Sequence, residues 1–329
     1  MDTTATLAQS ITWERSKQSY YTARLMVDKD LVYDCYRGYA YLRWIDDVID
    51  IVAQSSDERI TFIKRQRELI DRLYQDERPG NLTPEEEMIA DLIRPDEKNR
   101  RLESFIRNFL AIIEFDAYRK GALISKQELA WYAHCLGKSV TDGIQYFIGK
   151  RQPYQTSKYH YLAATAAHIT HMLRDMMSDI VEGYINIPRE YLEAHNLNPL
   201  DVGHPLFRAW VRERVEQARQ YFDEGKHYLD DLDVLRCKIV AYWYCIRFEI
   251  TLDVIERDGY VLRAEYGERR KLSSWLRIIR MAASVTLRHV ARQIRQMRAG
   301  IRDSKSSGDR GDYLSVLYDE IQLEQERAK

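Results

Sequence analysis

The sequence reads as a single all-α domain. Three observations lead to that reading. The 329 residues include only 14 Gly and 7 Pro, too few for the turn about every 8–12 residues that a many-stranded sandwich or barrel requires. No proline precedes Pro79 or follows Pro205, which leaves two long stretches free to be helical. Apolar positions recur at helical spacing, and no segment of any length alternates with the period of a strand.

The elements follow in order. Residues 1–12 are expected to form an N-terminal tail, and they lack the basic-then-apolar pattern of a cleaved signal. Residues 13–78 read as helices interrupted near Val27, Asp28, Lys29 and Asp30. Between 31 and 52 the helical period runs through Val32, Cys35, Tyr36, Tyr39, Tyr41, Leu42, Ile45, Ile49 and Val52. Residues 77–96 contain Pro79-Gly80, Pro84 and Pro95, the composition of a loop with a short helix. Helices are expected at 102–120, 126–149, 159–182, 207–229, 234–257 and 273–299. Pro188, Pro199 and Pro205 punctuate the connection after residue 182. Residues 302–312 read as a polar linker and 313–329 as a terminal helix or tail. The expected organisation is therefore a tail at 1–12, one domain at 13–300, and an appendage at 301–329.

Composition narrows the function. Fifty Lys and Arg against 51 Asp and Glu give a net charge of −1, so no excess of cations is available to neutralise nucleic-acid phosphates. Hydrophobic residues make up 45% of the chain, enough for a sizeable core. Cys35, Cys135, Cys237 and Cys245 form no CxxC pair and read as reduced core thiols of a cytoplasmic protein. The longest apolar run, 239–246, falls far short of the ~20 residues of a membrane span. Peripheral contact with a membrane stays open if the substrate is a lipid.

Two motifs carry chemistry. In YLRWIDDVID (residues 41–50) Asp46 and Asp50 stand four apart, with Asp47 beside them and Arg43 one turn earlier. In LRDMMSD (residues 173–179) Asp175 and Asp179 repeat the spacing, with Arg174 adjacent and Glu182 a turn on. Carboxylates one helical turn apart repel each other, and in apolar surroundings they also lose hydration unless a cation compensates. Oxygen-only donors of this kind suit Mg²⁺, which completes its shell with water and substrate phosphates. Either motif alone reads more readily as a solvated acidic face, and Asp30/Asp34 is a third instance of the spacing. The recurrence, each time beside an arginine, favours the metal.

The chain also resembles the squalene/phytoene synthase family over about residues 14–275. The resemblance lies in SKQSY at 16–20, Tyr39 and Arg43 before IDDVID, Phe115-Asp116 before ELAWY, LRDMMSD running into GYINIP at 183–188, and GYVL at 259–262. It implies the isoprenoid-synthase fold, an antiparallel helical bundle whose two acidic helices face each other across a central cavity. It implies an enzyme acting on allylic prenyl diphosphates with two or three Mg²⁺ ions held by Asp46, Asp47, Asp50, Asp175 and Asp179. Arg43, Arg174 and Lys17 would then clamp phosphate oxygens, with Ser19 as a neutral donor. Tyr39, His134, Phe248 and Tyr260 would contribute to substrate binding. The allylic cation needs a dry, aromatic pocket, and 23 Tyr with 6 Trp supply candidates.

Departures from the family pattern bear on the acceptor. His168 and His171 stand where head-to-head synthases usually carry Gln and Asn, and His134 and Phe248 stand where Tyr is common. Arginines expected after Gly259-Tyr260 are displaced toward Arg263 and Arg269. His168 and His171 are either buried histidines hydrogen-bonded to carboxylates or a general base for an acceptor other than a second prenyl diphosphate. A branch of the family prenylates aromatic rings in secondary metabolism, and its chemistry gives such a base a task. The expectation is transfer to a small carbazole- or indole-type acceptor, with head-to-head condensation of two prenyl diphosphates as the alternative.

Overall fold

The computed structural model describes residues 3–95, 99–149, 154, 157–268 and 271–306. The expected terminal helix or tail at 313–329 lies outside them. The chain divides into two compact units, Met1–Ala282 and Ala283–Lys329, and every side chain of the candidate site belongs to the first.

The described residues are almost wholly helical. In chain order they form α1 (Thr3–Arg15), α2 (Lys17–Met26), α3 (Val32–Asp47), α4 (Ser56–Tyr74), α5 (Pro84–Leu92), α6 (Arg100–Arg119) and α7 (Lys126–Phe147). There follow α8 (Leu162–Glu182), α9 (Arg189–His195), α10 (Pro205–Asp231), α11 (Leu235–Arg257) and α12 (Leu272–Ser306). Residues 3–12 are helix rather than tail, because Ala5, Ala8 and Thr12 form a buried face. The last helix runs on through residues 302–306, which the sequence reading assigned to the linker. Two short strands interrupt the pattern: β1 (Leu123–Ile124) pairs in parallel with β2 (Ile185–Pro188).

Local chemistry sets the helix starts. Ser16 caps α2 and Ser55 caps α4, while Thr83 with Glu86 and Ser125 with Glu128 form reciprocal capping boxes for α5 and α7. Glu86 then does a second job. Fully buried, it accepts from Arg65 Nε at 2.8 Å and Gln66 Nε2 at 2.9 Å. Gln66 in turn accepts from the Tyr41 hydroxyl at 3.0 Å. One carboxylate thereby ties α3, α4 and α5 together.

Helix α8 is flanked by glycines that permit close approach. A Cβ on Gly137 of α7 would stand 2.8 Å from the Thr165 backbone nitrogen, and one on Gly225 of α10 would stand 2.4 Å from that of Ala163. Alanines at 163, 164, 166 and 167 present the matching small surface. This packing seats the helix that carries Asp175 and Asp179. The parallel clasp of β1 and β2 then joins the chain just after α6 to the chain just after α8.

Candidate active site

The first acidic motif closes α3 and runs into a wide turn of π-helix, Val48–Val52, whose i→i+5 bond is Ala53 N–H to the Val48 carbonyl. Asp46 and Asp47 end the α-helix, and Asp50 sits in the wide turn. The second motif ends α8, where Gly183 adopts φ +94° and lets Tyr184 N–H return to the Asp179 carbonyl at 2.7 Å. That reversal aims the Tyr184 ring back across the site. Its hydroxyl donates to Asp50 Oδ1 at 2.7 Å, and Lys120 Nζ reaches the Asp50 carbonyl at 3.3 Å. The chain just after the second motif thereby meets the first motif at Asp50.

The electrostatics show strain between like charges. Burial first and Asp50 second push the Asp46 carboxyl up to about 7. Burial, then repulsion from Asp175 and Glu182, pushes Asp179 up to about 7. The field of half-buried Asp116 raises both. Asp175 behaves oppositely: burial works against its charge, but hydrogen bonds from Arg174 (Nε to Oδ1, 2.6 Å) and from His171 outweigh it and hold the carboxyl well below the usual range. Asp47 is saturated, with Arg43 Nη2 2.5 Å from Oδ1 and Arg15 Nη2 2.9 Å from Oδ2. Arg43 also lies 3.2 Å from Asp46 Oδ2. Asp34, of the third four-residue pair, is locked by Arg37 at 2.7 Å and Arg94 at 2.8 Å. It is a structural ion pair.

A cavity of about 400 Å³ opens beside the first motif. Its wall is mainly apolar and aromatic, with Tyr36, Phe105, Phe109, Phe147, Trp243 and Tyr244 prominent, while Ser19, Tyr39, Arg43, Asp46 and Arg247 bring polar groups. The wall is built from α2, α3, α6, α7 and α11. Cys35 also lines it, its thiol pushed up to about 12 by burial, and all four cysteines are free. Behind the wall, the Tyr244 hydroxyl lies 3.4 Å from His168 Nε2. His168 is buried, and its Nδ1 has no hydrogen-bond partner among the described residues. Burial, then His171, lowers its pKa well below the ordinary value, so the ring is neutral near pH 7. His171 lies closer to the acids, with Nε2 2.8 Å from Asp175 Oδ2. Phe248 is buried against the His171 ring at 6.1 Å and the Tyr244 ring at 5.2 Å.

Three expected binding residues stand elsewhere. His134 is exposed on α7, its ring edge-on to Tyr161 at 5.9 Å. It points away from the cavity because the buried face of α7 is carried by Ala133, Leu136 and Gly137. Lys17 is exposed and lies over the Trp13 ring at 5.0 Å. Tyr260, at φ +65°, lies under the Arg212 guanidinium at 4.8 Å, and it is absent from the cavity wall.

Other groups around the acids had no role in the sequence reading. Arg119 is buried, lies 2.6 Å from Asp116, and faces the Tyr132 and Tyr184 rings at 4.9 and 5.2 Å. Its Nη1 is buried without a hydrogen-bond partner among the described residues. Tyr132 donates to Asp116 Oδ2 at 2.8 Å, and Asn186 to Asp179 Oδ2 at 3.0 Å. The stretches that contain Asp116, Tyr132, Tyr184 and Asn186 were visible as motif fragments. Tyr244 and Arg247 lie in an apolar helix with no motif to mark them.

The donor set fits Mg²⁺ of the open kind. Among the described residues no three His, Cys, Asp or Glu side chains converge into a ready-made cage. Half-buried Asp46 and Asp179, raised by burial and then by neighbouring carboxylates, beside arginines, instead suit a cation that arrives with substrate phosphates.

Comparison with known proteins agrees with this fold. The squalene/phytoene synthase family matches residues 14–276. A squalene synthase from Alicyclobacillus acidocaldarius superposes with TM-score 0.61 at 20% identity, covering 79% of this chain and 95% of its own. A dehydrosqualene synthase solved with a ligand gives TM-score 0.61 at 16% identity, covering 86% and 95%. No curated protein matches the sequence.

Proposed function

Since the chain belongs to the squalene/phytoene synthase family and is a prenyl-transferring enzyme of that type, we propose that it transfers the prenyl group of an allylic diphosphate to an electron-rich aromatic ring. A small carbazole- or indole-type acceptor is the class in view. The observation that carries the reading is the neutral, buried His168 behind Tyr244, which itself lines the cavity.

The chemistry follows from the residues. Arg43 and Arg174 bind diphosphate oxygens, with the Ser19 hydroxyl as a neutral donor. Asp47 holds Arg43 in place through the pair at 2.5 Å. Asp46, Asp50, Asp175 and Asp179 would hold Mg²⁺ together with the substrate phosphates, and the ion would supply Lewis-acid neutralisation of the leaving diphosphate. The aromatic wall excludes water and faces the allylic cation formed when the C–O bond breaks. The acceptor ring forms the new C–C bond and must then shed the proton it carries at that carbon. Tyr244 is placed to pass that proton to His168, whose low pKa keeps it ready as a base. The products are the prenylated ring, diphosphate and a proton.

The cavity volume, about 400 Å³, lies near the small end of the ~300–1,000 Å³ range of ligand pockets. It favours one prenyl chain with a compact partner. Head-to-head condensation remains the second reading, supported by Arg247, a further cation on the cavity wall. Incubation with Mg²⁺ and geranyl or farnesyl diphosphate, with and without carbazole or indole acceptors, decides between them by product mass. A prenyl–acceptor adduct that forms only when both are present supports the proposal. A squalene- or phytoene-type hydrocarbon from the diphosphate alone overturns it.

A further inference from the structure

Two side chains where the chain enters β2 reach one acidic motif each. The Tyr184 hydroxyl donates to Asp50 Oδ1 at 2.7 Å, and Asn186 Nδ2 donates to Asp179 Oδ2 at 3.0 Å. Both side chains are buried. Asp50 closes the first motif and Asp179 the second, so one short segment touches the last acid of both. That segment is held in turn by the end of α6. Gly121 N–H donates to the Gly183 carbonyl at 2.8 Å, and β1 pairs with β2 just beyond. The Arg119 guanidinium and Lys120 Nζ stand over the Tyr184 ring at 5.2 and 5.3 Å. Lys120 also reaches the Asp50 carbonyl at 3.3 Å, so one lysine braces both partners of the Tyr184–Asp50 bond.

These donors differ in kind from those on the neighbouring acids. Asp47 pairs with Arg43 and Arg15, and Asp175 pairs with Arg174 and His171. A cationic partner neutralises a carboxylate as it fixes it. A hydroxyl or an amide fixes one oxygen and leaves the negative charge for a metal ion. We propose that Tyr184 and Asn186 are positioning residues, which set the Asp50 and Asp179 carboxylates, one on each motif, for Mg²⁺ that arrives with the diphosphate. The proposal rests on the reading of these aspartates as metal-binding and is independent of the acceptor. Mg²⁺ demands near-ideal octahedral geometry, and groups that orient its ligands typically govern affinity by about 10–100-fold.

The test is calorimetric binding of inorganic pyrophosphate to the full-length protein as Mg²⁺ is raised, at pH 8 and without prenyl substrate. Tyr184→Phe keeps the ring under its two cations and removes only the hydroxyl, while Asn186→Ala removes the amide. Each is expected to raise the Mg²⁺ concentration at half-maximal binding by about tenfold. The melting temperature of Tyr184→Phe should stay near that of the parent. Its turnover of prenyl diphosphate should fall at low Mg²⁺ and recover at saturating Mg²⁺, which a general loss of structure does not produce. Asp50→Asn tests the underlying reading and should also move the midpoint upward. If Asp50→Asn moves it and Tyr184→Phe or Asn186→Ala does not, the role of that residue is overturned while the metal reading stands. If Asp50→Asn leaves it unmoved, the metal reading fails and takes the proposal with it.

Discussion

Burial fixes the charge state of His168, and with it the direction of any proton transfer through Tyr244. His168→Ala is expected to lower kcat by about 10²-fold or more, the scale of a lost general base, and Tyr244→Phe should lower it in the same direction with KM little changed. Because the histidine pKa is depressed, loss of this base should show only below pH 6.5, measured at Mg²⁺ high enough to keep Asp46 and Asp179 ionised. A steady-state pH profile of both variants and the parent measures this. The acids offer a second contrast. Asp179 is raised to about 7, so its contribution to stability is present below about 3.8 and lost as pH rises through about 7. Asp179→Asn, keeping an oxygen for Asn186, should therefore raise metal-free stability at pH 8 by about 1 kcal/mol after allowance for solvent screening. Asp175→Asn should instead lower stability by about 1–2 kcal/mol, because it loses charge-assisted bonds from Arg174 and His171. Both should abolish turnover. Calorimetry beside an activity assay separates the two effects.

Helix α8 depends on surfaces that have no side chains. Gly225→Ala would drive a Cβ to 2.4 Å from the Ala163 backbone nitrogen. The clash should outweigh the gain in helix propensity of about 1 kcal/mol and leave a net loss of about 1–3 kcal/mol, read as a lower denaturant midpoint. The helices themselves were legible in the sequence, since apolar spacing and proline placement mark α6, α7, α8, α10 and α11 within a few residues. The two acidic motifs were legible too. The π-helical turn at Val48–Val52 and the β1–β2 clasp were not, because each spans five residues or fewer and carries no period. Nor could spacing tell that His134, Lys17 and Tyr260 turn toward Tyr161, Trp13 and Arg212. For His134 and Tyr260 those orientations depend on neighbours far off in the chain.

At the scale of the molecule, buried ion pairs link the first helices, and this sets the response to acid. Burial opposes the charge of Glu86, but Arg65 and Gln66 outweigh it and bring the carboxyl down to about 2. A depressed carboxyl contributes stability above its unfolded value, about 4.5, and loses it as pH falls toward 2. Glu86→Gln should therefore cost about 2–3 kcal/mol at pH 7 and much less at pH 2, measured by urea unfolding at both. Cys35 on the cavity wall and the three buried cysteines follow the composition, which read them as reduced thiols. The hydrogen bond from Tyr184 to Asp50 has a consequence for the order in which the protein is made. The partners are 134 residues apart, so a chain growing from its N-terminus presents its first acidic motif long before the second exists. Closing so long a loop is a late event in folding. The unfinished chain therefore holds half a site, and catalytic competence arrives with the last large contacts rather than growing in step with synthesis.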